Sequence, residues 1–484
     1  MMTIGVRGQG PGARILEKEI SDYQHQTPGS PESHQPRTPD PGPRTPDPRP
    51  LTTVAFATVG CKLNQYETSE LQGMMEARGF RTVPFDAVAQ IYVINSCTVT
   101  SKADFSDRQM IRRAAAKNPN ALVVVIGCYA QTNPDAIAKI PGVDLIIGNQ
   151  EKFQLLNLLE SLEKQSEPVV RVGDVSTEES IPVAPLPRST GRTRAFVKVQ
   201  DGCQHRCAFC IVPLARGGSR SQDPKVILGR VRELVEAGHQ ETVLTGVDIG
   251  HYGWDLLPRT TLAALLREMG KIQGLRWIRL SSVLSQYFTE ELREMVTRSE
   301  KICPHQHIPL QSGSDRVLRA MRRPYNTAMY RRLVEKLYRA VPDLGLGTDV
   351  IVGFPGETEE EFEETYAFVE SLPFTYLHVF SYSPRKGTEA TRLPDPVPPG
   401  EIKRRSARLR SLGHQKNLAF RRRFLGRAVE LLVLESRDKK TGLLTGLTGH
   451  YIEVLFPGED RLMQSVRNVR IADVQPDRTV GALV

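Results

Sequence analysis

The sequence predicts an α/β protein of three folded parts: a parallel-sheet layer, a partial (β/α) barrel, and a small β-barrel at the C-terminal end. Three observations carry this. From Leu51 to about Leu162, short β-branched runs alternate with helical stretches, the pattern of a parallel sheet covered by helices. A longer alternation follows, six strand–helix units over about 190 residues from Ala195, which suits an open barrel better than a complete eightfold one. Beyond Arg421 apolar and polar residues alternate between Gly/Pro turns, which suits five short strands closed on themselves. At 484 residues the chain has room for about three domains.

Taken in order, residues 1–50 are expected to lack structure. Nine prolines fall between Pro28 and Pro50, with RTPDPGP repeated as RTPDPRP, too little apolar surface to offset chain ordering. The first domain, 51–165, holds the strand candidates TVAFATVGC, IYVINSC, ALVVVIGC and VDLIIGN. A Pro-containing stretch, 166–190, is read as a linker. In the second domain, 191–420, the candidate strands begin at Ala195, Thr242, Trp277, His307, Thr348 and Tyr376. Helical periodicity places Ile227, Val231, Leu234 and Gly238 on one face, and Phe362, Tyr366 and Val369 on another after a Thr358 N-cap. A polar or glycine-rich stretch follows each strand (DGCQHRC, GVDIGHYG, SVLSQ, QSGSD, PGETE, SPRKGT), so chemistry is expected at the strand C-termini. PDPVPPG closes this domain, and 421–484 forms the last one.

Bulk properties narrow the function classes. The longest clean apolar run, near Ala121–Gly127, falls far short of the roughly 20 residues of a membrane helix, so no membrane partner is expected. The N-terminus shows no basic segment followed by an apolar one, which points to a cytoplasmic protein in a reducing compartment. The net charge of +9 is concentrated: Lys403–Arg427 holds ten Lys or Arg and no acid, leaving the rest near neutral. A basic helix leading into a small barrel is expected to face RNA rather than solvent alone.

The cysteines are grouped. Cys203, Cys207 and Cys210 follow the first strand of the second alternation with the spacing C-x3-C-x2-C. Three thiols cannot all pair as disulfides, and loops this short strain such bridges. Zinc would want a fourth ligand, for which His205 lies at an awkward span. An iron–sulfur cluster on three thiolates, with one iron open, is the reading the spacing favours. Cys61, Cys97 and Cys128 end three successive strands of the first domain, so they are expected to converge at one sheet edge. Singly, each reads as a small buried hydrophobe; at equivalent positions they read as a set. Cys303 alternates with His305 and His307 along a strand, but is taken as a core or surface thiol rather than a metal ligand.

The loop DGCQHRCAFC, with Phe209 before its last cysteine, resembles the signature of radical S-adenosylmethionine (SAM) enzymes. With TVGCKLNQYET, INSCTVT and GCYAQ, the chain from about Thr52 onward resembles the methylthiotransferase family. The resemblance implies a flavodoxin-like N-terminal domain, a radical SAM (β/α)6 partial barrel, and an OB-like TRAM domain that contacts RNA. It implies two [4Fe–4S] clusters, one with SAM on Cys203, Cys207 and Cys210, and an auxiliary one on Cys61, Cys97 and Cys128. SAM contacts are implied for Gly246, Gln311 and Gly313, in the LTGVDIG and QSGSD stretches. The reaction so implied replaces a C–H bond by C–S–CH3: a radical from the first cluster removes hydrogen, and the second carries sulfur. The forms GCKLNQYE and INSCTVT resemble members acting on N6-threonylcarbamoyladenosine beside the tRNA anticodon. The implied partners are the tRNA anticodon stem-loop and a low-potential electron donor. Methylthiolation of isopentenyladenosine or of a ribosomal protein, and a non-catalytic iron–sulfur RNA-binding protein, remain the alternatives.

Overall fold

A computed structural model describes residues 52–160, 162–177, 180–185 and 193–484. The unstructured reading of 1–50 falls outside the described residues.

Six strands form the first sheet: β1 Thr53–Thr58, β2 Arg81–Val83, β3 Ile91–Ser96, β4 Leu122–Gly127, β5 Leu145–Ile147 and β6 Val169–Arg171. Their order is β2-β1-β3-β4-β5-β6, with every neighbouring pair parallel. This is the flavodoxin-like order, with its switch point between β1 and β3. Apolar cores cover both faces, around Tyr92 and Ile94 on one side and Val93 and Ile126 on the other. Covering both faces explains why β3 and β4 read as continuous apolar runs and not as alternation. β6 lies inside the stretch read as a linker. Its VVR is too short to stand out, and only pairing with β5 makes it a strand.

The second domain contributes β7 Ala195–Lys198, the short antiparallel pair β8 Gln200–Asp201 and β9 Arg220–Ser221, and then β10 Glu241–Thr245, β11 Trp277–Leu280, β12 His305–His307, β13 Gly345–Val352 and β14 Tyr376–Ser381. Apart from the β8–β9 pair, these strands pair in parallel as β7-β10-β11 and β12-β13-β14. Single bridges, Ile278 to Ile302 and Ser282 to His307, join the two halves into one open barrel of six strands. The fourth strand lies two residues earlier than expected. Pro309 has no N–H to give a ladder, so the regular strand ends at His307, and beyond it only Ile308 and Leu310 donate singly to β13 before Gln311 bridges Val350. The helices form where the periodicity placed them, except that Gly238 lies exposed beyond the end of its helix, where it takes a positive φ. Ile227, Val231 and Leu234 are buried on one helix, and Thr358 with Glu361 makes a reciprocal capping box on another.

The last domain is a closed barrel of β15 Ala428–Arg437, β16 Leu444–Thr448, β17 Glu453–Phe456, β18 Val466–Val474 and β19 Thr479–Leu483, filled by residues such as Leu431, Val433, Phe456 and Val469. The basic helix leading into it, Pro399–Arg422, does not present a free cationic stripe. Arg404, Arg405 and Arg408 pair with Glu357, Glu359 and Glu363 of the preceding acidic segment. Arg421 donates to the carbonyls of Gln475, Pro476 and Arg478, and Arg423 and Arg427 share Asp343. The charge run is largely spent inside the chain.

Candidate active site

The three loops that carry Cys61, Cys97 and Cys128 leave the C-terminal ends of β1, β3 and β4. Gly60, at φ +100°, presses so close to the next loop that a Cβ there would stand 2.6 Å from Cys97 Cβ and 2.7 Å from its Sγ. Gly127, at φ +95°, turns the chain beside Asn95 in the same way. Asn64, one turn into the helix that Cys61 caps, donates to the carbonyls of Val59 and Ser96 at 2.9 and 3.0 Å. Asn149 donates to Cys128 Sγ at 3.6 Å. Burial pushes the Cys97 thiol up to about 12, and neighbouring Cys128 and Cys61 add to the shift. Cys61 is an exposed residue whose thiol lies among protein atoms. Burial raises its pKa, while Arg216 opposes the shift.

The second trio occupies the loop between β8 and β9. Cys203 N–H donates to Gly217 O, and Cys210 N–H to Cys207 O, both at 3.0 Å. Burial pushes Cys203 up to about 12 and Cys210 to about 11. Arg323 donates from Nη1 to Cys207 Sγ at 3.0 Å and lies over the Tyr325 ring; its Nη2 has no partner. A half-buried cation fixed on a thiol fits a site built to hold thiolate.

Donor spacing separates the metal readings. Tetrahedral zinc, with Zn–S near 2.3 Å, would hold its sulfurs about 4 Å apart. Among the described residues, the one His/Cys/Asp/Glu group with all donor atoms within 4.8 Å is His307, Asp349 and His378. Neither cysteine trio is set that tightly. A four-iron cube, with each thiolate on its own iron, accepts the wider spacing. His205 is engaged elsewhere, its Nε2 2.9 Å from Tyr287 Oη and 3.3 Å from Asp248 Oδ2. Cys303 is a core thiol packed with Trp277 and Leu432.

An open cavity of about 200 Å³ lies between the first domain and the barrel. Cys210 and Phe209 line it from the second trio's loop. Val99 and Thr100, just after Cys97, line it from the first domain, with Asp349, Phe380 and Tyr382 from the barrel. Gln311 reaches it too, in the left-handed region at φ 73° with its Oε1 unpartnered. Strain and an unsatisfied buried acceptor at one residue mark a functional position. Gly246 and Gly313 do not line it. A Cβ at Gly246 would stand 2.8 Å from Gln200 O, and one at Gly313 would stand 2.7 Å from Thr365 Cα, so close backbone packing requires both glycines. Asp349 takes hydrogen bonds or ion pairs from His307 and His378 at 3.2 and 3.1 Å, which hold its carboxyl well below the usual range.

Sequence reasoning did not single out Arg216, Arg323, Asp349 or Arg385. Arg216 stands six residues beyond Cys210, outside the cysteine spacing. The other three have no spacing or periodicity to announce them.

The chain matches the Uncharacterized protein family UPF0004 over residues 53–148 and the Radical SAM superfamily over 197–369. It is 40% identical, over 87% of its length and 94% of the relative's, to the threonylcarbamoyladenosine tRNA methylthiotransferase MtaB of Bacillus subtilis. It is likewise 40% identical to the protein of that name from Aquifex aeolicus, over 86% of this chain and 99% of the other. A tRNA-2-methylthio-N(6)-dimethylallyladenosine synthase from Moorella thermoacetica is 34% identical over 89% and 98%. Among solved structures, the radical SAM methyltransferase TsrM from Kitasatospora setae superposes with a TM-score of 0.51 at 16% identity, over 68% of this chain and 72% of that one, a likeness of fold. The cysteine loop, the parallel-sheet domain and the barrel thus agree with full-length relatives, and the chain belongs to the radical SAM tRNA methylthiotransferase family, on the MtaB-type branch.

Proposed function

We propose that this protein adds a methylthio group to C2 of N6-threonylcarbamoyladenosine at position 37 of tRNA. The observation that carries this is the shared cavity: the loop of Cys97 and the loop of Cys210 open onto the same space. An auxiliary [4Fe–4S] cluster on Cys61, Cys97 and Cys128 and a SAM-binding one on Cys203, Cys207 and Cys210 would then face one substrate atom. When bound, the clusters and SAM supply the electron, radical and sulfur chemistry.

The chain's own residues have simpler tasks. Arg323 holds Cys207 for cluster binding. Gln311 offers a free acceptor to SAM, while Gly246 and Gly313, away from the cavity, let the backbone pack closely against Gln200 and Thr365. Phe209 and Phe380 give apolar faces for a base extruded from its stack. Thr100, Ser381, Ser383 and the unpartnered Tyr382 Oη line the same space. Those hydroxyls suit a polar threonylcarbamoyl group better than a hydrocarbon chain, which favours this substrate over isopentenyladenosine. The anticodon stem-loop, a low-potential electron donor and a cytoplasmic location complete the reading.

The test is nucleoside mass spectrometry of tRNA from cells lacking the protein. Selective loss of 2-methylthio-N6-threonylcarbamoyladenosine, with its unthiolated precursor accumulating, is expected. Loss of the isopentenyl counterpart would move the substrate, and an unchanged profile would overturn the reading.

A further inference from the structure

Beneath the first cysteine trio lies a buried ion network that the proposed reaction does not use. Arg216, 3% exposed, donates from Nη1 to Glu67 Oε1 and Asp201 Oδ1, each at 3.0 Å. From Nη2 it donates to Asn64 Oδ1 at 2.7 Å and Glu67 Oε2 at 3.0 Å. Lys152 reaches Glu67 at 2.7 Å, and Lys198 reaches Glu67 and Asp201, both at 2.9 Å. Three cations thus meet two carboxylates. The network carries an excess of positive charge in a place closed to water, which costs heavily unless something nearby is negative.

What lies nearby is the cysteine trio. Asn64, bonded to Arg216, has its Oδ1 3.7 Å from Cys61 Sγ. Asn149 joins Cys128 Sγ to the carbonyl of Ala215, the residue before Arg216, at 2.7 Å. A [4Fe–4S]2+ core with three thiolates carries one net negative charge, which answers the excess. Arg216 also belongs to the loop of the other trio, six residues beyond Cys210.

We propose that Arg216 is the buried counter-charge of the auxiliary cluster: a positioning residue that ties the two cysteine loops together and holds that cluster's reduction potential up. The proposal rests on the two-cluster reading. A fixed cation beside a cluster favours its reduced, more negative form, and net charge is among the factors that set such potentials.

The test uses the full-length protein with Cys203, Cys207 and Cys210 all changed to alanine, so that only the auxiliary cluster can remain. Iron is counted, and the midpoint potential is read by dithionite titration monitored by electron paramagnetic resonance. In this background Arg216→Gln is expected to disfavour the reduced cluster at least tenfold, a downward shift of about 59 mV or more for one electron. Glu67→Gln, which removes a neighbouring negative charge, is expected to shift the potential upward. Arg216→Lys is expected to stay within about threefold of the parent. Loss of packing alone would not give opposite signs within one network. If the parent background holds no iron, the two-cluster reading fails. If it holds a cluster whose potential neither variant moves, or which both move the same way, the role of Arg216 is overturned while that reading stands. Should Arg216→Gln hold no cluster, the direction of the Glu67→Gln shift decides.

Discussion

At φ +100° and pressed against Cys97, Gly60 has no room for a side chain. An alanine there meets a left-handed penalty of roughly 1–2 kcal/mol and must displace the cysteine beside it. Gly60→Ala is therefore expected to fold yet hold about half the parent's iron, because one trio loses its geometry while the other keeps it. Full iron in that variant would dissociate Cys97 from metal binding. Glu70 makes a different residue-scale case. It is buried, its Oε2 has no partner, and desolvation pushes its pKa to about 7 from an ordinary 4.5. The folded state therefore binds the proton more tightly than the unfolded chain. Below pH 4.5 both states are protonated and the group is neutral to stability. Between pH 4.5 and 7 the unfolded chain ionises while the buried acid keeps its proton, so stability falls by about 3 kcal/mol by the time the folded acid ionises near 7. Glu70→Gln is expected to stabilise by about that amount at pH 8 and by under about 1 kcal/mol at pH 5, measured by denaturant unfolding. Equal gains at both values would place the cause elsewhere.

At the scale of elements, the basic helix shows what a charge run can hide. Its arginines were legible as a cationic segment, but their partners lie some 45 residues earlier, in Glu357–Glu363, and no local pattern links the two. Arg405 is 5% exposed and bonds Glu357 at 3.0 Å. Arg405→Ala leaves that acid buried and unpaired, and is expected to cost about 3–5 kcal/mol of stability. Arg404 and Arg408 pair at the surface, so their change to Gln is expected to cost under about 1 kcal/mol each. Because both are already paired, the salt dependence of tRNA binding is expected to change little in Arg404→Gln/Arg408→Gln, as measured by filter binding across ionic strengths. A flatter slope would return the helix to the RNA surface. The same distinction governs what else could be read. β1, β3, β4 and β13 are long β-branched runs whose own composition makes them strands. β2 and β6 are three-residue edges that exist through pairing, and β12 ends where Pro309 leaves the ladder. The cysteines were legible because their spacing, and their position at successive strand ends, survive in one dimension. Arg323 and Asp349 became visible only when the barrel brought distant loops onto Cys207 and the cavity.

On the scale of the whole molecule, the cavity exists because two domains close on each other, and Arg385 pins them on the side of the Cys97 loop. It follows β14, is 8% exposed, and reaches across to Asp104 at 2.6 Å, to the Thr98 carbonyl at 3.3 Å and to Ser101. Ser383 accepts from Ser101 N–H at 3.0 Å beside it. Thr98 and Ser101 flank Val99 and Thr100, which line the cavity just beyond Cys97. Loosening this clamp should move one trio's loop relative to the other while leaving each trio's own contacts in place. An error of about 1 Å in the placement of reacting groups costs on the order of a hundredfold in rate. Arg385→Ala is accordingly expected to keep the parent's iron content and its cleavage of SAM to 5′-deoxyadenosine, but to lose methylthiolated tRNA by about that factor. Arg385→Lys keeps a cation for Asp104 without the fork to Thr98 and Ser101, and should fall between. Chromatography of both products from one reaction decides the matter. Uncoupled SAM cleavage would show that the clamp sets the spacing of two intact sites, whereas product and iron falling together would show that Arg385 serves only to hold the fold.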